Sequence, residues 1–454
     1  MRTPGRSLRD GAHPPRRRVA PARRRYIAPS AAAKPARLAA ALLLSVAVLQ
    51  SVLPEANHSA RAEDWPCWRG PRGDGSSLRA HLPTRWDGPS GAAIRWRTPL
   101  EGAGYASPIV WRDRIYTVSC LEDREERVLV CLDRRDGRTL WQQVVLRSPL
   151  EGKHPKNSFA SSTPATDGER VVVAFLDRHE IVVAAYDLDG QRQWVTRPGE
   201  FYSKHGFCSC PVLFEDLVIV NGDHDGESYL VALDRATGSL RWKSPREGRT
   251  RSYSTPIIRE IDGRTQMLLS GSHSVASYDP RTGAQHWVYA GPTEQFVASV
   301  VYSHGLVLLT AGFPEHHILA LRPDGRGPVA DEHVVWHETR GAAYVPSPVA
   351  VGDYFLLVSD GGIASCFEIA SGRRLWMERL GTAFSASAIT AGGLVYFTDE
   401  RGTTTVVRPG PALDVVARND LGEAVFASPA VGGYDLLLRG ERHLFSIASE
   451  LELP

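Results

Sequence analysis

The sequence predicts an all-β protein, a β-propeller of eight four-stranded antiparallel blades. The first observation behind this prediction is a repeated phrase: a short apolar stretch, an Asp or Glu, a Gly turn, and a Trp four residues after that Gly. The second is a Ser-Pro or Thr-Pro marker ahead of each unit, and the third is the lack of any long 3.6-residue apolar period. Such self-similarity defines a repeat architecture in which each unit buries its apolar face against its neighbours.

The repeated phrase marks five units clearly. It reads Asp133, Gly137 and Trp141; Asp187, Gly190 and Trp194; Asp234, Gly238 and Trp242; Asp279, Gly283 and Trp287; Glu368, Gly372 and Trp376. The unit from Ala320 to Trp336 is stretched and lacks the acid, and the unit from Val406 to Asn419 lacks the Trp. These two units keep the period while losing part of the phrase.

The markers give the number of blades. They stand at Ser107-Pro108, Thr163-Pro164, Cys210-Pro211, Thr255-Pro256, Ser347-Pro348 and Ser428-Pro429, with degenerate copies at Ser299-Val300 and Ser387-Ala388. Successive markers lie about 40 to 56 residues apart, which suits four short strands with their turns. Eight markers therefore predict eight blades.

The interior of each unit favours strands over helices. In the third unit, Leu217 to Val220 is followed by a polar turn at Asp223 to Gly226, then by Tyr229 to Leu233 and Leu240 to Trp242. Short β-branched and aromatic runs separated by Gly and Asp turns are the hairpin signal. Helix content should be very low.

The last unit lacks a fourth strand, and an extra strand precedes the first unit. The last unit, from Phe426 to Ala448, has no Gly-to-Trp fourth strand, whereas Ile94 to Arg97 forms a strand ahead of the first marker and contains Trp96. We predict that this N-terminal strand completes the last blade and closes the ring. Closure removes a free sheet edge that would invite aggregation.

The N-terminus has the composition of an export signal. Eleven Arg and Lys with one acid, Asp10, precede a 16-residue apolar run from Leu38 to Leu53, and Ala60-Arg61-Ala62 is a small-x-small cleavage site. The run is short for a membrane span, which favours cleavage over anchoring. We predict a signal peptide with a basic leader at 1–62, an N-terminal extension at 63–92 and a propeller at 93–454. The mature chain would be periplasmic or extracellular, without a transmembrane span.

The charge balance argues against a nucleic-acid partner. Residues 1–62 hold twelve of the 53 Lys and Arg but only two of the 51 Asp and Glu, so without them the net charge falls from +2 to −8. Nucleic-acid binding usually requires a basic face.

Six cysteines in an oxidising compartment permit disulfides. Cys120 and Cys131 end two strands joined by a hairpin, which predicts that they lie opposite each other and form a bond. Cys208 and Cys210 share one face of a strand, where ordinary packing competes with a metal or redox role. Packing is favoured because no Cys or His pair has recognisable metal-site spacing, so we predict no metal site.

The repeat carries a family resemblance. The phrase from Ala232 to Trp242, with Asp234, Thr237 and Gly238, resembles the repeat of PQQ-like propellers, which include quinoprotein alcohol dehydrogenases and the BamB-type scaffold of outer-membrane assembly. The Trp68-Arg69-Gly70-Pro71 segment is similar to the opening of secreted members from environmental bacteria. The resemblance implies that the Trp side chains pack between blades and that the Asp and Gly residues shape the turn before the outer strand.

The resemblance leaves two functions open. The enzymes of the family resemble one another in an adjacent Cys-Cys pair over the cofactor ring and a calcium site with a catalytic Asp. No two cysteines are adjacent here. We therefore expect a non-catalytic scaffold without cofactor or catalytic residues, binding a protein partner or a small ligand and acting in envelope assembly. The alternative is a PQQ-dependent oxidoreductase.

The predicted site lies where connections between blades meet. In a four-stranded blade, the loop between the second and third strands and the connection to the next blade emerge on the same face. Lys156, Asn157, His205 and Arg251 lead into successive inner strands and should converge over the axial funnel, where propellers bind ligands. The bland alternative is that these are ordinary exposed loop residues. The positive groups among them predict an anionic small molecule or an acidic partner segment.

Overall fold

The computed structural model describes residues 63–79 and 81–448. They form an all-β propeller of eight blades, each containing four antiparallel strands, and this confirms the predicted fold class. The predicted leader lies outside the described residues. No helix in the described part of the chain is long and apolar enough to span a bilayer.

Blades 1 to 4 follow the chain from the first marker to Ala290. Their strands are β2 Ile109–Trp111, β3 Arg114–Leu121, β4 Glu126–Asp133 and β5 Thr139–Arg147; β6 Ala165–Thr166, β7 Arg170–Asp177, β8 Glu180–Asp187 and β9 Arg192–Glu200; β10 Val212–Phe214, β11 Leu217–Gly222, β12 Tyr229–Asp234 and β13 Leu240–Pro245; β14 Ile257–Ile261, β15 Arg264–Gly271, β16 Ser274–Tyr278 and β17 Gln285–Ala290. A 3₁₀ turn, Glu122–Arg124, joins β3 to β4.

Blades 5 to 8 complete the ring. Their strands are β18 Val301–Ser303, β19 Leu306–Ala311, β20 His317–Leu321 and β22 Val334–Glu338; β23 Val349–Val351, β24 Tyr354–Val358, β25 Ile363–Glu368 and β26 Arg374–Arg379; β27 Ile389–Ala391, β28 Leu394–Thr398, β29 Thr403–Arg408 and β30 Asp414–Asp420; β31 Ala430–Gly432, β32 Asp435–Arg439, β33 His443–Ile447 and β1 Ile94–Pro99. Strand β21 Gly327–Val329 and a 3₁₀ turn, Asp331–His333, lie between β20 and β22.

The N-terminal strand is the outer strand of the last blade. Strand β1 pairs antiparallel with β33, and Trp96 lies opposite Ser446. The last blade also contacts the first through the buried Arg439 in β32. Its guanidinium donates to Thr117 Oγ1 at 2.7 Å, to Ser119 Oγ at 2.8 Å and to the Val118 carbonyl, all in β3 of blade 1. Strand β1 thus completes the last blade, and the guanidinium of Arg439 connects the last blade to the first.

The repeated Gly and Trp meet across the joints between blades. The ring of Trp194 lies against the Gly238 turn of the next blade, and its indole nitrogen donates to the Arg235 carbonyl at 3.0 Å. A Cβ on Gly238, where φ is +72°, would lie 2.5 Å from the Trp194 ring. The same contact joins Trp96 to Gly137, Trp141 to Gly190, Trp242 to Gly283 and Trp336 to Gly372. The repeated phrase therefore describes a contact between blades, because the Trp of one blade requires the Gly of the next.

The joint after blade 4 is different. Trp287 is 1% exposed, and its indole nitrogen donates to Gln266 Oε1 of its own blade at 2.9 Å. The stretched unit supplies β21, which adds a fifth strand parallel to β17 at the edge of blade 4. A Cβ placed on Gly325 of the next blade would lie 3.4 Å from the Cβ of Trp287, so this Gly does not approach the Trp ring as closely as the Gly residues of the five joints above.

The N-terminal extension packs tightly against the ring. Trp65 is fully buried and exchanges backbone hydrogen bonds of 2.8 and 2.9 Å with Val110 of blade 1. Arg69 is 1% exposed and donates to the carbonyls of Asp74 and of Pro348 in blade 6. The segment around these residues therefore connects two blades that are not neighbours in the ring.

Candidate functional site

The marker residues form a hydrogen-bonded belt around the axis. In seven of the eight joints the backbone N–H of one marker donates to the side chain of the next marker. The pairs are Ser107 to Thr163, Thr163 to Cys210, Cys210 to Thr255, Thr255 to Ser299, Ser299 to Ser347, Ser347 to Ser387 and Ser387 to Ser428, at 2.9 to 3.4 Å. At the eighth joint the Ser107 hydroxyl has no partner within the described residues. The belt explains why the markers are small residues that carry an acceptor.

An axial cavity of about 550 Å³ lies above the belt. Six marker residues contribute to its lining: Cys210, Thr255, Ser299, Ser347, Ser387 and Ser428. Trp68 of the N-terminal extension also lines it, and the Trp68 indole nitrogen donates to Ser299 Oγ at 3.4 Å. The extension thus contributes to the cavity wall, and the volume falls in the range that accepts small molecules.

All four predicted ligand-binding residues line this one cavity. Lys156, His205 and Arg251 come from three successive connections, those between blades 1 and 2, 2 and 3, and 3 and 4. Lys204 lies beside His205 in the chain and lines the same cavity. We call Lys204, His205 and Arg251 the basic wall.

Arg251 is fixed by its neighbours. Its Nη1 donates to both carboxylate oxygens of Asp225 at 2.7 and 2.8 Å, and its Nε donates to His205 Nδ1 at 3.4 Å. Its Nη2 has no hydrogen-bond partner among the described residues. One edge of an oriented guanidinium thus stays available for a planar anion, the geometry at which arginine is most effective.

His205 is electrically neutral at neutral pH. Burial, together with the nearby charges of Arg251, His154 and Lys204, lowers the pKa of its ring to about 4. Because its Nδ1 accepts from Arg251, its Nε2 carries the proton and can donate. The ring of His154 meets that of His205 edge-on at 5.5 Å.

The side chains of Lys156 and Asn157 form hydrogen bonds with other residues of the protein. The Lys156 ammonium donates to the two oxygens of Glu400 in blade 7 at 2.8 and 3.2 Å, so the connection between blades 1 and 2 is held to a distant blade. Asn157 Nδ2 donates to the His205 carbonyl at 2.7 Å, and its Oδ1 accepts from Ser161. The amide of Asn157 therefore orders the loop, and sequence reasoning did not anticipate that role.

The opposite wall carries an acid. Asp360, in the loop between the second and third strands of blade 6, accepts backbone N–H groups of Tyr344 at 2.8 Å and Val345 at 3.2 Å. Burial raises the pKa of its carboxyl above the usual value, while these bonds and Lys156 oppose the rise. Sequence reasoning missed Asp360, and the only available signal was its position in a second-to-third-strand loop.

Aromatic rings line the cavity between the charged walls. Tyr105 and Phe426 stack with ring centroids 4.5 Å apart at the joint of blades 8 and 1. Phe313 and Tyr344 lie 6.1 Å apart on the side of blades 5 and 6, and Phe313 is 47% exposed. The site combines two apolar walls, one basic wall and one carboxylate.

The cavity thiols are weakly acidic. Cys208 and Cys210 both line the cavity, and burial raises the pKa of Cys210 to about 11 and that of Cys208 further. Thiols so protonated are poor nucleophiles and poor ligands. Among the described residues no group of three His, Cys, Asp or Glu is placed to hold a metal.

The predicted disulfide between Cys120 and Cys131 is wrong. The short 3₁₀ turn of this hairpin sets a register in which Cys120 lies opposite Arg127 and Cys131 lies opposite Tyr116. The two cysteines are thus four positions apart in register, about 13 Å at the usual rise per residue. All six cysteines fall in the described part of the chain, and each is a free thiol there.

A family model described as outer membrane protein assembly factor BamB matches residues 84–194 and 178–409, most of the chain. The protein belongs to this BamB-like propeller family. The match begins before β1 and ends after β29 in blade 7, so it covers strand β1 and the repeats of blades 1 to 6 with most of blade 7.

Solved structures share the propeller at low sequence identity. BamB from Moraxella catarrhalis is 15% identical with a TM-score of 0.56, covering 79% of this chain and 98% of that one. A europium-containing methanol dehydrogenase is 12% identical with a TM-score of 0.51, covering 83% and 89%. The quinohemoprotein alcohol dehydrogenase from Comamonas testosteroni is 14% identical with a TM-score of 0.50, covering 88% and 82%. At these identities the likeness concerns the fold alone.

No curated protein matches the sequence significantly.

Proposed function

We propose that the protein is an exported, non-catalytic binding propeller whose axial cavity takes the anionic group of a small ligand or of a partner's acidic segment. The observation that carries this proposal is the basic wall, where Lys204 and the free edge of Arg251 line one axial cavity beside the neutral donor His205. Export is supported by the basic, apolar and small-residue grammar of the leader. Membership of the BamB-like family is consistent with a scaffold role in the envelope.

The basic wall keeps positive charge that no carboxylate of the described residues neutralises completely. Lys204 makes no ion pair among the described residues, and Arg251 keeps one edge free after pairing with Asp225. The proposed mature chain has a net charge of −8, so a positive wall inside a cavity is a local departure from the overall charge. Charges in a concave, poorly solvated site act more strongly than on an open surface, which favours an anionic ligand.

The second candidate is a PQQ-dependent oxidoreductase, which the likeness in fold to two dehydrogenases favours. The donor set of this cavity does not fit the arrangement expected of those enzymes. Ser209 separates the two cavity thiols, Cys208 and Cys210, and the described residues lack a metal-ligand cluster. Incubation of the purified protein with PQQ and calcium, followed by desalting, tests this candidate, since retention of the quinone spectrum would favour the oxidoreductase.

The binding proposal is tested with a negatively charged probe and an uncharged analogue of the same shape. N-acetyl-phenylalanyl-phenylalanine is an aromatic anion, and its C-terminal amide has the same shape without the charge. By isothermal titration calorimetry at pH 7 and low salt, we expect the acid to bind at least about ten-fold more tightly than the amide, because only the carboxylate forms charge-assisted hydrogen bonds.

Two matched variants locate the site. Lys204→Ala with Arg251→Gln should abolish the preference for the acid, whereas Arg249→Gln should keep it, since Arg249 is an exposed residue of the same rim outside the cavity lining. Equal binding of acid and amide by the wild-type protein, or no binding of either, would refute an anion site in the cavity.

A further inference from the structure

The cavity contains a carboxylate that the proposed function does not use. Asp360 is the only acidic residue among the described residues that line the cavity. It makes no ion pair within the described part of the chain, whereas Glu400 forms an ion pair with Lys156 at 2.8 Å. A carboxylate on a cavity wall without a cation of its own has an open position for one.

The hydrogen bonding of Asp360 leaves room for a ligand. Its Oδ2 accepts the Tyr344 N–H at 2.8 Å and its Oδ1 accepts the Val345 N–H at 3.2 Å. A carboxylate has about four acceptor positions, so each oxygen keeps a lone pair beyond these bonds. Removing an ionised carboxylate from water is costly unless a counter-charge compensates, and a bound ammonium would supply that charge.

The rings beside Asp360 suit a cation. Tyr344, whose backbone N–H bonds Asp360, and its neighbour Phe313 both line the cavity, with ring centroids 6.1 Å apart. The faces of aromatic rings attract ammonium groups, an effect that grows when water is excluded. The same rings offer an apolar surface to an aromatic or aliphatic body.

One side chain links this carboxylate to the basic wall. Burial raises the pKa of Tyr344 to about 12, Arg251 lowers it and Asp360 raises it, so the Tyr344 hydroxyl is within electrostatic reach of both charges. That hydroxyl donates to Gln295 Oε1 at 2.9 Å. A positive and a negative subsite therefore flank one tyrosine inside one cavity.

We propose that the cavity binds a zwitterion of the amino-acid or short-peptide class, with its ammonium group on Asp360 and its carboxylate on Lys204 and Arg251. This inference rests on the proposed function for the anionic end and adds the cationic end. An aromatic or apolar side chain would lie between the ring pairs Phe313–Tyr344 and Tyr105–Phe426. A volume of about 550 Å³ accommodates a ligand of this size.

Removal of a single charge from the ligand tests the inference. The probes are phenylalanyl-phenylalanine, with a free ammonium group, and its N-acetyl form, which keeps the carboxylate. By calorimetry at pH 7, we expect the wild-type protein to bind the free dipeptide at least about ten-fold more tightly, because a charged hydrogen bond to Asp360 is lost on acetylation. This comparison uses only the wild-type protein, so it does not depend on how any variant folds.

A pair of variants assigns the effect. Asp360→Asn should bind the two probes with equal affinity, whereas Glu294→Gln should keep the wild-type preference, because Glu294 is an exposed acid of the same rim outside the cavity lining. Equal affinity of the wild-type protein for both probes would overturn the inference while leaving the anion site standing. No binding of either probe would overturn both proposals, and an Asp360→Asn protein that keeps the preference would overturn the assignment to Asp360.

Discussion

The outer joints and the axial cavity are built from the same repeats in opposite ways. At the outer joints most blades place the same residues in the same contact, as Trp194 on Gly238 and Trp242 on Gly283 illustrate. Around the cavity, equivalent positions carry different chemistry, with Arg251 after blade 3 and Gln295 after blade 4. Positions that carry the same residue in most blades hold the ring together, whereas positions that differ from blade to blade line the cavity. Substitutions at the first should lower stability, and substitutions at the second should change ligand binding.

The largest effect is expected at an outer joint. Trp194→Ala removes a ring that is 8% exposed and its hydrogen bond to the Arg235 carbonyl, leaving a cavity between blades 2 and 3. We expect the free energy of unfolding to fall by about 3 to 5 kcal/mol in chemical denaturation. Val195→Ala, on the same strand and 49% exposed, is the control and should change it by less than about 0.5 kcal/mol. A similar loss of unfolding free energy in both variants would show that the contact between Trp194 and the next blade does not stabilise the ring.

Glycine substitutions separate packing from backbone strain. Gly238 and Gly263 have the same φ of +72°, but a Cβ at Gly238 would lie 2.5 Å from the Trp194 ring, whereas none of the described atoms lies within 4 Å of one at Gly263. Alanine at Gly263 should cost about 1 kcal/mol for the left-handed backbone. Alanine at Gly238 should cost about 2 to 4 kcal/mol, because the Trp must move. Equal costs would mean that the repeated Gly serves only its turn.

The belt should contribute less than the joints. Ser387→Ala removes the acceptor of the buried Ser347 N–H, which is bonded at 2.9 Å, and should cost about 1 to 2 kcal/mol. Ser107→Ala is the matched control at the eighth joint, where the hydroxyl accepts no bond within the described residues. That variant should stay near the wild-type value. A larger loss for Ser107→Ala than for Ser387→Ala would contradict the belt described above.

The smallest effect is expected at the basic wall and concerns protonation. The pKa of His205 is about 4 in the folded protein, against 6.5 for an unperturbed ring, so the unfolded chain binds this proton first. The contribution to stability should therefore be present above about pH 6.5 and be lost as the pH falls towards 4. Arg251→Gln removes one cause of the shift and should raise the pKa of His205 in an NMR titration. An unchanged titration would mean that Arg251 does not contribute to the lowered pKa of His205.

The comparison also explains how far the sequence could predict this protein. The ring and its blade number follow from residues whose role repeats, such as Ser347 in the belt and Gly238 at a joint. That Arg251 and His205 share one cavity followed from topology alone. What could not be predicted depends on local register and on unique contacts. The short turn between β3 and β4 sets a register in which Cys120 and Cys131 are not opposite each other. Asp360 becomes a candidate binding residue only because the fold places it beside Tyr344 in the cavity.

The closing strand has a consequence for the order in which the protein can fold. Arg95 in β1 bonds Asp435 in β32, 340 positions later in the chain, so the last blade remains incomplete until nearly the whole polypeptide is present. Contacts at such separation carry a large loop-closure entropy and form slowly. A chain that emerges from its N-terminus would hold strand β1 unpaired throughout, and an unpaired strand is a site of aggregation. The last step of ring formation would thus set both the folding time and the period in which the chain is most prone to aggregate.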